Sequence, residues 1–243
     1  MATTFRRIDG RRFDELRPVK ITRNFLKWPE GSVLIEMGDT KVIVTASIEK
    51  EVPRFLQNSG KGWITAEYDM IPRATNTRRA RDRSKNIPGR TMEIQRLIGR
   101  GIRAAFDFDT MGEITVKIDA DVIQADGGTR CASITGGFIA VYDALQRALK
   151  DGTIPTFPDF QIVTAVSVGL VQGLPILDLC YKEDSQADVD MNIIMDEEHK
   201  FAEIQGTGEG RNFSNEELTK LIQLGETGCV TLIQMVKKQL NLE

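Results

Sequence analysis

One stretch near the middle of the chain limits the fold more than any other. Ile114-Thr115-Val116-Lys117-Ile118-Asp119-Ala120-Asp121-Val122 places Ile114, Val116, Ile118, Ala120 and Val122 on one face, as a half-buried strand does. It runs into Ala125-Asp126-Gly127-Gly128-Thr129-Arg130. A helical pattern then has apolar residues at Ile134, Phe138, Val141, Leu145 and Leu149. A strand, a glycine turn and a helix start leave backbone N–H groups free at the positive end of a helix dipole, where an anion can sit. Thr129 adds a hydroxyl, and Arg130 adds a fork of donors that matches phosphate. Two readings stay open on this pattern alone: a phosphate-binding corner, or a tight turn whose arginine is solvated.

The flanking segments predict an α+β protein with one continuous core. Arg7 to Pro18 reads as an extended polar segment, and Ile21 to Leu26 as an edge strand. Ser32–Met37 and Lys41–Ile48 form a hairpin across Gly38-Asp39-Thr40, and Gly62–Tyr68 is a further strand. Thr91 to Phe106 has the spacing of a helix. Gln161–Val171, Pro175–Tyr181, Ala187–Met195 and Lys200–Gln205 read as an antiparallel meander. The last helix starts at Ser214, which makes a capping box with Glu217, and Gly225 and Gly228 are expected to interrupt it. With no linker in sight, residues 1–243 read as a single domain of mixed and antiparallel sheets packed with helices.

Charge is unevenly distributed. The chain carries a net −3, yet between Arg73 and Arg103 nine arginines and Lys85 stand against Asp82 and Glu93, a local +8. A basic block in an acidic protein is the footprint of a polyanion site. Most of it lies in Met70–Gly89, a stretch poor in apolar residues that reads as an exposed loop presenting Arg73, Arg78, Arg79, Arg81 and Arg83. The alternative is a solvated loop without a ligand. Arg90, at the start of the following helix, opposes the helix dipole unless an anion or carboxylate lies close by.

Asp184, Asp188 and Asp190 offer three carboxylates around a predicted hairpin, a set suited to Mg²⁺ or Mn²⁺ with substrate phosphate, or else simply a charged tip. Gly206-Thr207-Gly208-Glu209-Gly210 lacks the dinucleotide spacing and reads as a flexible turn. His199 is the only histidine and sits among charges in a turn, so no nucleophile–histidine set can be built. Arginines, N–H groups, hydroxyls and carboxylates without a histidine base fit phosphoryl or nucleotidyl transfer. No apolar run approaches the roughly 18 residues of a membrane span. Cys131, Cys180 and Cys229 are far apart, Met1–Arg12 lacks a secretory apolar stretch, and the expectation is a cytoplasmic protein.

Taken together and in order, several motifs resemble the bacterial ribonuclease PH family. They are Asp9-Gly10-Arg11, Asp14-Glu15-Leu16-Arg17-Pro18, Gly60 to Tyr68, Pro72 to Asn76, Gly89 to Arg100, Asp121 to Arg130, Glu183-Asp184-Ser185, Asp188 to Asn192 and Glu203 to Glu209. The resemblance implies a ribonuclease PH-like fold and a phosphate-dependent 3′-to-5′ exoribonuclease that trims transfer RNA precursors. Inorganic phosphate would attack the last phosphodiester and release a nucleoside diphosphate. By the same resemblance Arg90, Gly128, Thr129 and Arg130 hold phosphate, and Asp184 and Asp190 bind Mg²⁺ or Mn²⁺ or act as general acid. Arg73, Arg78 and Arg79 contact RNA, and the chain assembles as a homohexamer, a trimer of dimers.

Overall fold

The computed structural model describes residues 6–81 and 87–242. The first sheet runs β1 (Val19–Arg23), β2 (Gly31–Met37), β3 (Thr40–Glu49), β5 (Thr115–Gln124), β4 (Trp63–Met70). Its pairs are antiparallel except β4 with β5. A parallel neighbour needs a crossover. Here the arginine-rich loop, α1 (Gly89–Arg103) and the short α2 (Phe108–Met111) provide it. The predicted helix at 91–106 therefore begins two residues earlier, directly after Pro88, whose fixed φ suits a helix entrance.

The second sheet has the order β7 (Leu174–Leu177), β6 (Val163–Val171), β8 (Val189–Asp196), β9 (Phe201–Gly208), all antiparallel. This corrects the expected meander, because β8 pairs with β6 and not with β7. Every residue of β6 is buried, so this strand takes the centre. The chain leaves β7 at Asp178, whose φ of 54° ends the strand, and crosses through α4 (Tyr181–Asp184) to the far side of β6. Asp184 thus ends a helical turn and does not face Asp190 across a hairpin. Gly206 and Gly208 belong to β9 and form no flexible turn.

Between the sheets lies α3 (Thr129–Lys150), packed on β2, β3 and β5 from one side and β6 from the other. It is buried all round from Cys131 to Leu145, as befits a helix with apolar or small residues on every face. The apolar stripe read from sequence is one face only. Gly136 and Gly137 line others, where Ile35 and Ile102 press against the helix. Phe138 stacks on Phe106 with ring centres 5.5 Å apart. The final helix, α5 (Asn215–Leu240), starts at the predicted Ser214–Glu217 capping box and packs on β6, β7 and β8. Gly225 and Gly228 do not interrupt it. A methyl group there would sit 2.3 Å from Ile193 and 2.7 Å from Leu177, so the glycines bring helix and sheet together. Both sheets and α1, α3 and α5 contribute to one contiguous apolar core. Among the described residues no helix is long and apolar enough to cross a membrane.

The tightest approach in this packing is at Gly31, where a Cβ would lie 1.9 Å from the backbone oxygen of Ala140 on α3. Backbone on both sides leaves no side chain to rotate away. Gly31→Ala is expected to destabilise the protein by about 3 kcal/mol, read as a lower urea midpoint with an unchanged slope.

Candidate active site

A cleft of about 510 Å³ opens where the N-terminus of α3 meets α4 and β8. It gathers Arg90, Gly128, Thr129, Arg130, Asp184 and Asp190, six residues from four separate segments of sequence. Gly127 and Gly128 both have positive φ, 76° and 64°, and turn the chain from β5 into α3. Side chains are excluded there for a second reason. A Cβ on Gly127 would meet the oxygen of Leu179 at 2.4 Å. At the helix start, the Thr129 hydroxyl hydrogen-bonds the Tyr68 hydroxyl of β4 at 2.9 Å. Arg130 donates to Gln205 of β9 at 3.2 Å and lies 3.8 Å from Glu93 of α1.

The basic loop docks beside this corner. The N–H of Ala125 donates to the carbonyl of Ala74, and the Arg79 N–H closes the loop on Pro72. Thr75, Asn76 and Thr77 then line the cleft. Arg73 and Arg78 are exposed outside it, and Arg79 is half-buried. Arg81 is exposed, and Arg83 lies outside the described residues. Burial raises the pKa of the Tyr68 hydroxyl, against its bond to Thr129 and the charges of Arg130, Arg90 and Arg79. Three guanidinium charges therefore act on this one hydroxyl. The rest of the basic window is engaged differently. Arg100 forms a two-pronged pair with Glu203 at 2.6 and 2.7 Å, and Arg103 lies over the Trp63 ring at 4.9 Å and donates to the Ile64 carbonyl.

The two acids both line the cleft. Burial, followed by the charge of Asp184, pushes the Asp190 carboxyl up to about 6, against the pull of Arg130 and Arg90. Burial also raises Asp184, again opposed by Arg90 and Arg130. Two buried carboxyls with raised pKa facing several cations are typical of a reactive site. Asp188 does not join it. It precedes β8, lies 3.9 Å from Arg211, and is not in the cleft wall. Among the described residues no group of three or more His, Cys, Asp or Glu side chains is placed to hold a metal. Two carboxylates facing Arg90 and Arg130 nevertheless suit Mg²⁺ or Mn²⁺, ions that keep several waters and need only one or two carboxylates from the protein. His199 sits on the surface, 2.8 Å from Glu226, far from this chemistry in role.

Sequence reasoning missed the supports behind the cleft. Arg7 and Arg17, read as parts of a polar extended segment, are 2% and 4% exposed. Arg7 grips Glu183 with two hydrogen bonds of 2.8 Å, which fixes the residue beside Asp184. Arg17 grips Asp178 at 2.7 and 3.0 Å. Their partners lie more than 160 positions away, so no local pattern could disclose them. Tyr181, Lys182, Ser167 and Asn192 also line the cleft without having been singled out.

Residues 15–145 match domain 1, and residues 161–228 domain 2, of the 3′ exoribonuclease family of ribonuclease PH type. The chain belongs to that family. Among solved structures it resembles an Archaeoglobus fulgidus exosome with RNA bound to the active site, at 24% identity and a TM-score of 0.80, covering 95% of this chain and 92% of that one. Rice Rrp46 matches at 20% identity and a TM-score of 0.77, covering 96% of this chain and 100% of that one. An archaeal exosome core matches at 23% identity and a TM-score of 0.77, covering 96% and 91%. These likenesses establish the α+β ribonuclease PH-like fold.

Burial works to raise the Glu183 pKa, and Arg7 overcomes it, so the carboxyl is held below its usual range. A depressed folded pKa contributes stability that is present above the unfolded value, near ~4.3, and is lost as pH falls through the folded one. Glu183→Gln strands a buried guanidinium and is expected to cost about 3 kcal/mol at pH 7. In urea unfolding the gap to wild type should shrink below about pH 4.

Proposed function

We propose that this protein is a phosphate-dependent 3′-to-5′ exoribonuclease of the bacterial ribonuclease PH kind, which trims the 3′ ends of transfer RNA precursors and releases nucleoside 5′-diphosphates. The observation that carries the reading is the meeting, in one cleft, of a glycine corner with Arg90 and Arg130 on one side and the Asp184–Asp190 pair on the other.

Inorganic phosphate is already anionic near neutral pH and needs orientation more than deprotonation. Gly128, Thr129, Arg130 and Arg90 bind it. Its oxygen attacks the phosphorus of the last phosphodiester, and the bond from that phosphorus to the 3′ oxygen of the preceding nucleotide breaks. The departing oxygen must gain a proton. Asp190, poised at about 6, is able to hold one and give it up. Asp184 and Asp190 would also hold Mg²⁺ or Mn²⁺. Such an ion, when bound, would neutralise charge building on the phosphoryl oxygens. Arg73, Arg78 and Arg79 lie on the loop beside the cleft and contact the RNA backbone. Assembly as a homohexamer, a trimer of dimers, and action in the cytoplasm complete the reading.

The test mixes the protein, Mg²⁺ and a transfer RNA bearing a 3′ extension, with and without phosphate. Nucleoside diphosphates are expected only with phosphate, and monophosphates released in its absence would identify a hydrolase instead. Arg130→Ala is expected to lower kcat/KM for phosphate about 100-fold with its circular dichroism unchanged.

Protons and the cation compete for Asp190. Its raised pKa means that the carboxylate form is reached only as pH climbs through about 6. Apparent Mg²⁺ affinity, measured by titration calorimetry, should therefore be about tenfold weaker at pH 5 than at pH 7 and level off above it. Asp190→Asn should flatten that dependence.

A further inference from the structure

Arg17 does not line the cleft; it lies behind the glycine corner with its side chain 3% exposed. Its guanidinium makes a forked pair with Asp178, and the Asp178 carboxylate also accepts the Arg17 backbone N–H at 2.8 Å. With the remaining donors Arg17 reaches the carbonyl oxygens of Asp126 and, at 3.4 Å, of Gly127. Thr40, fully buried, donates its hydroxyl to the same Gly127 oxygen at 2.6 Å and accepts the Asp126 N–H at 3.0 Å. The fit is close enough that a Cβ on Gly128 would stand 2.9 Å from the Arg17 guanidinium.

In a trans peptide the C=O and N–H point in opposite directions. The carbonyl of Asp126 shares its peptide plane with the N–H of Gly127, and the carbonyl of Gly127 shares its plane with the N–H of Gly128. Two carbonyls held from behind therefore turn two N–H groups forward, toward the cleft that both glycines line. No acceptor among the described residues meets either N–H. Asp178 keeps its left-handed backbone at the same point, where the chain passes from β7 toward α4. One guanidinium thus joins the glycine corner after β5 to the segment after β7 that delivers Asp184.

We propose that Arg17 is a positioning residue for phosphate. By pinning the carbonyls of Asp126 and Gly127 against Asp178 and Thr40, it aims the N–H groups of Gly127 and Gly128 at the anion, although it never touches that anion. The inference rests on the phosphate-binding reading of this corner. It adds the Gly127 N–H to that of Gly128 and names the device that orients both.

The decisive measurement titrates inorganic phosphate into wild type, Arg17→Lys and Thr40→Val by calorimetry, with binding of a short 3′-ended RNA followed in parallel by fluorescence anisotropy. Lysine keeps the charge and loses the fork. Arg17→Lys is expected to weaken phosphate about tenfold while RNA affinity stays within about twofold, and Thr40→Val to weaken phosphate about threefold. A folded Arg17→Lys protein that binds phosphate like wild type would overturn the proposal. So would equal losses for phosphate and RNA, which would mean general collapse of the cleft. If Arg17→Lys does not fold, Thr40→Val decides by the same criterion. Wild type that fails to bind phosphate at all would defeat the underlying reading of the corner, an outcome distinct from unchanged affinity in the variants.

Discussion

The buried ion pair between Arg17 and Asp178 is the contact on which the cleft depends. Desolvating two charges costs several kcal/mol per ion, and Coulomb attraction repays it only where the geometry is good and the remaining donors are satisfied. Both conditions hold here: the pair is two-pronged, and the spare guanidinium donors end on backbone carbonyls. Arg7 with Glu183 repeats the arrangement one turn further on. An apolar pair of equal volume could have filled either space. It could not have held carbonyl groups in fixed directions, and direction is what a site made of backbone N–H groups requires.

These two pairs explain how far the sequence could be read. The strand from Thr115 and the helix from Thr129 each carry a period, so the corner between them is visible without coordinates. The burial of Arg7 and Arg17 has no period. Their surroundings are charged, and the partners that make burial tolerable, Asp178 and Glu183, come from the distant connection between β7 and β8. The same limit hid the order of the second sheet. Alternation and turn residues report that strands exist, but the choice between β6 and β7 as the partner of β8 is made by burial on both faces of β6 and by the left-handed residue Asp178. The helical glycines fall between these cases. Gly225 and Gly228 weaken a helix by local propensity, and they are there because Ile193 and Leu177 leave no room for a side chain.

Of the site residues, Arg90, Gly128, Thr129, Arg130, Asp184 and Asp190 converge, and the fold explains why. The parallel pairing of β4 with β5 forces a crossover, and that crossover brings the basic loop and the N-terminus of α1 across the carboxyl end of β5. The glycine corner begins at that end. Crossing from β7 to β8 through α4 then delivers Asp184 and Asp190 from the second sheet to the same place. Asp188, two residues from Asp190 in sequence, misses the cleft because the strand has not yet begun and Arg211 attracts its carboxylate.

The proposed reaction would bring two anions into one cleft. Arg90 and Arg130 attract anions, and the same two residues restrain the pKa of Asp184 and Asp190. Phosphate bound at the corner, as proposed, would remove part of that restraint, since an anion screens the guanidinium groups from the acids. In that complex the two carboxyls would keep a proton or accept a cation to avoid adding repulsion. RNA, the other proposed substrate, would bring further negative charge toward the loop arginines outside the cleft wall and not toward Arg100 or Arg103, which Glu203 and Trp63 have already engaged. The basic window therefore divides its work. One part locks α1 to both sheets, and the other places positive charge at and beside the cleft.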